Sequence, residues 1–353
     1  MKGLKITALG MALAFAGGAQ AQLAGKNVIL IHGLQGDDIA ENPTSQQEIE
    51  QNGDAYWQAF WASRAEARID WGSHERVEGR TAERAFNQLV EISQQGLCSE
   101  GCIVVTHSTG DLVGRYVLDN QARWLSNAGL EPLNVIAALD FAGAGGGSEL
   151  ADLAVNAAYA DSFGDELAKL AVTAYLGTTP TPENLGVLRD LQPAVARNIA
   201  TSPNSVPRLR FVGGGSNYGG LTGPFLPGID DGVVALHSTC GGTQVGSYKS
   251  CVSNVALDGK RTSVSAPSGL YYNHYPVLMG EKVDHSQVIN TESGNTLTYA
   301  NNGFSVSGVS VNFQTETYEE RPWWKFWGSG DTYQVVTDSE QSSVSGLVYQ
   351  TLN

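Results

Sequence analysis

The stretch CIVVTHSTGDLVGRY, residues 102–116, constrains the fold more than any other part of the chain. CIVVT is a continuous apolar and β-branched run, the composition of a strand buried on both faces of a parallel sheet. GDLVGRYVLDNQARWL (110–125) then shows helical spacing. The chain must turn sharply from strand to helix between them, carrying Ser108 out at the tip of the turn. Strands that feed directly into helices in this way belong to α/β architectures.

The same alternation runs on from Asn27. NVILI (27–31), EARID (66–70), CIVVT (102–106), NVIAAL (134–139) and RLRFVG (208–213) read as strands. TAERAFNQLVEISQQ (81–95) reads as an amphipathic helix, with Ala85, Phe86, Leu89, Val90 and Ile92 on one face. This predicts a mostly parallel sheet with helices on both faces. Between the last two strands, about 146–206 is rich in Ala and Leu and broken by Gly and Thr-Pro turns, which predicts a helical lid or cap at the strand ends, where such sheets bind ligands. GAGGGS (143–148) reads as a hinge into that cap and lacks the Lys-Ser/Thr of a nucleotide-phosphate loop. Past residue 291, Ser, Thr, Asn and Gly alternate with Val, Tyr and Phe, predicting a β-rich extension over 291–353. Its RPWWKFW (321–327) is expected to close the extension against the core; exposed, the same rings would favour a lipid or polymer interface.

A serine hydroxyl attacks a carbonyl only when a base takes its proton and nearby donors stabilise the oxyanion. Ser108 is the candidate nucleophile, and the N–H of Thr109 is one candidate donor. LIHGLQG (30–36) directly follows the first strand and can turn the N–H of Leu34 toward the same point. Thr106 stands where such an elbow usually has glycine; it is larger and stiff at χ1, so altered packing with the nucleophile retained is expected. An acid and then a histidine must follow in the chain. His274 and His285 are the histidines free of other motifs, and Asp231, its neighbour Asp230 and Asp140 are the candidate acids.

These segments together resemble the α/β-hydrolases, and within them the secreted bacterial triacylglycerol lipases. The resemblance rests on VILIHGLQG, THSTGDLVGRYV, GGSELADL (146–153), DDGVV (230–234) and DHSQVIN (284–290), in the family's order from Asn27 to Asn290. It implies Ser108 as nucleophile, Asp231 as acid, His285 as base, and Leu34 and Thr109 as the oxyanion hole. It implies an apolar ester, lipid above all, as substrate, and a possible export or folding chaperone as partner. Where the family has a calcium-binding aspartate, two residues after the histidine, this chain has Gln287. No cofactor or metal is therefore expected.

The chain begins with two lysines, a short apolar run and AQA before Gln22, the pattern of a cleaved signal peptide spanning 1–21. Removing it takes 353 residues to 332 and, with Lys2 and Lys5, the formal charge from −15 to −17. So acidic a protein repels nucleic-acid backbones. Cys98 with Cys102 and Cys240 with Cys251 are expected to form two local disulfides, in keeping with a secreted or periplasmic protein; their spacing does not suit zinc. The expected organisation is a signal peptide, a catalytic domain over 22–290 and the extension. An acyltransferase, a polyester depolymerase or a non-catalytic binding protein on the same fold are the rival expectations.

Overall fold

The computed structural model describes residues 23–351 apart from 58–59, 161–165, 200–204, 253–264, 290–297, 303, 321–322, 325 and 329. The expected signal peptide lies outside the described residues. Among them, no helix is long and apolar enough to cross a membrane.

The fold alternates strand and helix as the sequence predicts. β1 (Asn27–Ile31) leads through α1 (Gly36–Glu41) and α2 (Gln46–Trp57) to β2 (Ala67–Ile69), and α3 (Ala82–Gln94) leads to β3 (Cys102–His107). The long α4 (Gly110–Asn127) follows, then β4 (Val135–Phe141). The insertion holds α5 (Glu149–Tyr159), α6 (Glu166–Leu176) and α7 (Pro193–Ala196) before β5 (Arg208–Gly213). α8 (Leu236–Thr239) and β6 (His274–Gly280) complete the main unit. The seven-stranded sheet runs β2-β1-β3-β4-β5-β6-β7, parallel except for β7 (Thr298–Ala300) at its edge. β1, β3 and β5 are buried almost throughout, because helices cover both faces. Two apolar clusters fill those faces, one beneath α3, α4 and the insertion, the other beneath α2 and α9 (Val344–Gln350).

β6 is a strand that the pattern hides, since Pro276 interrupts it. A proline cannot donate to a ladder and is confined to edges and irregularities. Here the register with β5 shifts between Arg210 and Phe211, opposite Pro276, so the ladder is already broken where the N–H is missing.

The extension is β-rich as expected: hairpin β8 (Phe304–Val306) with β9 (Val309–Val311), and hairpin β10 (Thr315–Glu320) with β11 (Asp331–Val336). β7 joins it to the main sheet, so it continues the main unit's edge. Its Trp-rich segment corrects the sequence reading: Trp323, Trp324, Phe326 and Trp327 are all exposed. GAGGGS is also not the open hinge its composition suggests. Residues 143–147 are buried, with Ala144 N–H donating to Ser108 O (2.8 Å), Gly145 N–H to Asp111 Oδ2 (2.7 Å) and Gly146 N–H to Ser238 Oγ (3.0 Å). Both expected cysteine pairs are bonded, with Cα atoms 4.8 Å apart for Cys98–Cys102 and 5.4 Å for Cys240–Cys251.

Candidate active site

Ser108 sits in the turn between β3 and α4 at φ +56°, a left-handed conformation that costs a non-glycine residue about 1–3 kcal/mol. The turn is over-determined: Ser108 N–H donates to Phe141 O (3.0 Å), and Asp111 N–H donates to Ser108 O (3.1 Å). Gly110 lets α4 approach β1 closely, since a Cβ there would lie 2.2 Å from Ile31 O. Thr109 caps the helix, so its N–H belongs to the positive end of an 18-residue helix.

The loop after β1 lies against Ser108, for a Cβ on Gly33 would lie 2.7 Å from Ser108 Cβ. His32 holds that loop's shape. Trp71 N–H donates to its Nε2 (3.2 Å), so Nδ1 carries the proton and donates to Gly33 O (2.8 Å), while the two rings stack. Gln35 N–H is taken by Ser73 Oγ (2.8 Å). Among the described residues, the N–H groups of Leu34 and Thr109 have no protein acceptor. The two expected oxyanion donors are therefore free to bind.

Asp231 and His285 meet beyond the carboxyl ends of β5 and β6. His285 Nδ1 lies 2.8 Å from Asp231 Oδ2, with both residues buried. The other oxygen, Oδ1, accepts from Val233 N–H (3.0 Å) and Val234 N–H (2.8 Å), and His285 N–H donates to Asp231 O (2.9 Å). Asp230 turns away as expected of its neighbour: its Oδ1 accepts from Gly232 N–H (2.8 Å), and burial pushes its pKa up to about 6. Among the described residues, Ser108 Oγ and His285 Nε2 share no hydrogen bond; such bonds are often long before substrate arrives.

The rival candidates sit elsewhere. His274 opens β6, at the opposite end of the parallel strands from Ser108, with Nδ1 on Tyr272 O (2.9 Å). Asp140 is fully engaged below the elbow. One row of register runs Thr106, Asp140, Arg210 across β3, β4 and β5. Thr106 Oγ1 donates to Asp140 Oδ1 (2.6 Å), Arg208 binds both Asp140 oxygens (2.7 and 2.9 Å), and Arg210 reaches Oδ2 (3.1 Å). Asp111, on α4, closes the cluster with Arg208 (2.9 Å) and Arg210 (2.7 Å). Burial alone would raise the Asp111 pKa, but the two guanidinium groups override it and hold it low. Thr106 is thus the hydroxyl contact of a buried two-Asp, two-Arg cluster, and its methyl faces Gly114, where a Cβ would lie 3.0 Å from it.

Sequence reasoning missed Tyr56. Its hydroxyl contacts His107 Nδ1, and His107 Nε2 lies 2.8 Å from His285 O. A carbonyl only accepts, so Nε2 carries the proton and Nδ1 accepts from the tyrosine. Burial, and after it the neighbouring His285, hold the His107 pKa well below the usual imidazole value. His107 therefore stays neutral and clamps the main chain of His285 to the elbow, while the His285 N–H is clamped to Asp231. No sequence pattern marks Tyr56, whose partner lies 51 residues downstream.

The insertion closes over this region. α6 ends against the loop after Leu34, where a Cβ on Gly36 would crowd the Leu176 backbone. Ser148 Oγ donates to Val233 O (2.6 Å), tying the start of α5 to the loop that carries Asp231. Among the described residues, no three His, Cys, Asp or Glu side chains are grouped to hold a metal ion.

A parallel sheet with helices on both faces, a left-handed serine between strand and helix, and an aspartate and a histidine paired after later strands define the α/β-hydrolase fold. No protein-family model and no curated protein matches the chain. Among solved structures it is similar to the mature form of a Bacillus licheniformis lipase, at 15% identity and TM-score 0.42 over 75% of this chain and 86% of that one. It is also similar to a metagenomic carboxyl esterase, at 16% identity and TM-score 0.38 over 81% and 69%. For a Staphylococcus hyicus lipase the values are 12%, 0.36, 75% and 88%. Likenesses this weak say nothing of activity, and the fold assignment stands on topology and elbow.

Proposed function

We propose that the chain is a serine hydrolase of carboxylic esters with apolar acyl chains, a lipase or lipase-like esterase. Ser108 is the nucleophile, His285 the base, and Asp231 the acid that orients it. The observation that carries this reading is the Asp231–His285 contact at 2.8 Å. Because the Asp231 carboxylate accepts, Nδ1 holds the ring proton and Nε2 is left as the acceptor that general-base catalysis requires.

In this reading His285 Nε2 takes the Ser108 proton as Oγ bonds to the ester carbonyl carbon. The negative charge moves onto the carbonyl oxygen, between the N–H groups of Leu34 and Thr109. Each such donor contributes about 2.7–4 kcal/mol to lowering the barrier. Collapse expels the alkoxide, which takes the proton back from His285, and leaves an acyl-serine. Water deprotonated by His285 then attacks the acyl carbon, and the acid leaves as Ser108 recovers its proton. Asp231 orients the ring and stabilises the imidazolium. The insertion over 146–206 is the cap that shapes the acyl pocket, and the paired cysteines support a protein exported and processed near Ala21.

The test is a hydrolysis profile over emulsified triglycerides and soluble nitrophenyl esters, with butanol as a competing acceptor, for wild type and Ser108→Ala. Activity on both substrate classes that vanishes in the variant is expected. Activity limited to short soluble esters removes the lipase half of the reading, and transfer that outruns hydrolysis makes the protein an acyltransferase. Equal activity in the two proteins sinks the reading.

A further inference from the structure

Among the described residues, the largest concentration of exposed aromatic surface lies far along the chain from the site, in the loop that joins β10 to β11. Trp323 is 83% exposed, Trp324 64%, Phe326 76% and Trp327 89%. The chain's tryptophans 57, 61 and 71, by contrast, are fully buried. Leaving four large rings in water forgoes about 1.5–3 kcal/mol per ring relative to burial, a standing cost that a soluble surface does not ordinarily carry. The loop is not a loose end. The hairpin beneath it pairs over six residues on each strand, and Tyr318 and Val335 pack on Tyr299 of β7, at the edge of the main sheet. A rooted hairpin therefore presents its rings outward.

We propose that this loop is an anchor that inserts into a zwitterionic or neutral lipid–water interface. Three observations select that partner. The segment is dominated by tryptophan, whose ring is apolar and whose N–H keeps a polar contact, the combination favoured at the headgroup boundary. The Trp323 and Trp324 rings stand 5.8 Å apart at 87°, edge to face. They do not form the flat platform on which a sugar ring or polymer unit stacks, whereas insertion into lipid requires no coplanarity. Finally, the chain carries a formal charge of −15, and Glu316 and Glu319 lie on the hairpin strand itself. An anionic surface would repel it. The anchor does not depend on the esterase chemistry: it requires only a lipid surface, and it would hold the chain there with or without a working serine.

The experiment uses the mature chain carrying Ser108→Ala, so that lipid is not consumed, and sucrose-loaded phosphatidylcholine vesicles in a sedimentation assay. A second protein carries in addition Trp323→Ala, Trp324→Ala, Phe326→Ala and Trp327→Ala. Sedimentation with vesicles is expected for the first, with tryptophan fluorescence quenched by brominated acyl chains, and a partition coefficient at least 10-fold lower for the second. The four alanine changes placed in the wild-type background are expected to leave kcat and KM for a soluble nitrophenyl ester within about twofold, which shows that the fold survives. Equal partitioning of the two proteins overturns the proposal. So does binding confined to phosphatidylglycerol vesicles or to an insoluble polymer, or a dimer in sedimentation velocity that the four changes dissolve.

Discussion

Thr106 offers a sharp test of how the elbow is supported. Its hydroxyl donates to Asp140 Oδ1 at 2.6 Å inside a fully buried cluster. Thr106→Val keeps the shape and the methyl facing Gly114 and removes only the hydrogen bond. A bond to a charged group contributes about 1.5–3 kcal/mol, and Asp140 retains both arginines, so a loss in that range is expected. Thr106→Gly adds roughly 0.5–1 kcal/mol of backbone entropy and about 0.8 kcal/mol for each of the two carbon groups removed, giving about 4–6 kcal/mol in all. Urea unfolding followed by circular dichroism measures both losses, and kcat/KM on a soluble ester is expected to stay within about threefold. A Thr106→Val protein within about 0.5 kcal/mol of wild type would mean that the bond to Asp140 carries no weight. A fall of more than about 100-fold in kcat/KM with the fold intact would mean that Thr106 acts in catalysis, against the reasoning.

Four further outcomes follow from the same geometry. In Asp231→Asn, Val233 and Val234 keep the side-chain oxygen where Oδ1 stands, so the amide NH2 faces His285 Nδ1 and forces the proton onto Nε2. By analogy with such a tautomer change, kcat should fall about 10⁴-fold, whereas Asp140→Asn, which breaks a buried ion cluster, should cost about 3–5 kcal/mol of stability and leave kcat within a few-fold; steady-state kinetics and urea unfolding separate the two. Tyr56→Phe leaves His107 Nδ1 without its donor and should lower kcat roughly 10-fold with KM nearly unchanged, by loosening the main chain of His285; a loss of stability alone would make Tyr56 merely structural. Burial pushes the Asp230 pKa up from the ordinary carboxylate value of 3.8 to about 6, so the folded state binds the proton more tightly. Its favourable contribution is present below about pH 4 and is lost as pH rises toward 6; Asp230→Asn should flatten the stability profile in that window, and an unchanged profile would refute the shift.

The elements that the sequence makes legible are those whose burial shows in composition. β1, β3 and β5 are unbroken apolar runs, and α3 and α4 keep a helical stripe, so the parallel sheet and the elbow follow from pattern alone. β6 escapes because Pro276 is accommodated by a register shift that only the neighbouring strand reveals. Arg208 and Arg210 could have been noticed, since charges at i and i+2 in a strand share one face and need buried partners. Asp111 and Asp140 supply them from α4 and β4. Asp231 and His285 were legible through their motifs, and the structure brings them together. Tyr56 was not, because a lone tyrosine near the end of a helix carries no signal until β3 is folded beside it. The Trp-rich loop misled in the opposite direction: apolar composition predicts burial only when there is a surface in the same chain to bury against.

The central claim is that Ser108 is a nucleophile activated by His285. It is tested most directly by treating the protein with a fluorophosphonate and mapping the adduct by peptide mass spectrometry. A single adduct on Ser108 is expected, formed at a rate reduced by several orders of magnitude in His285→Ala. No adduct on the folded protein, or one on Ser108 that forms equally fast without His285, would contradict it.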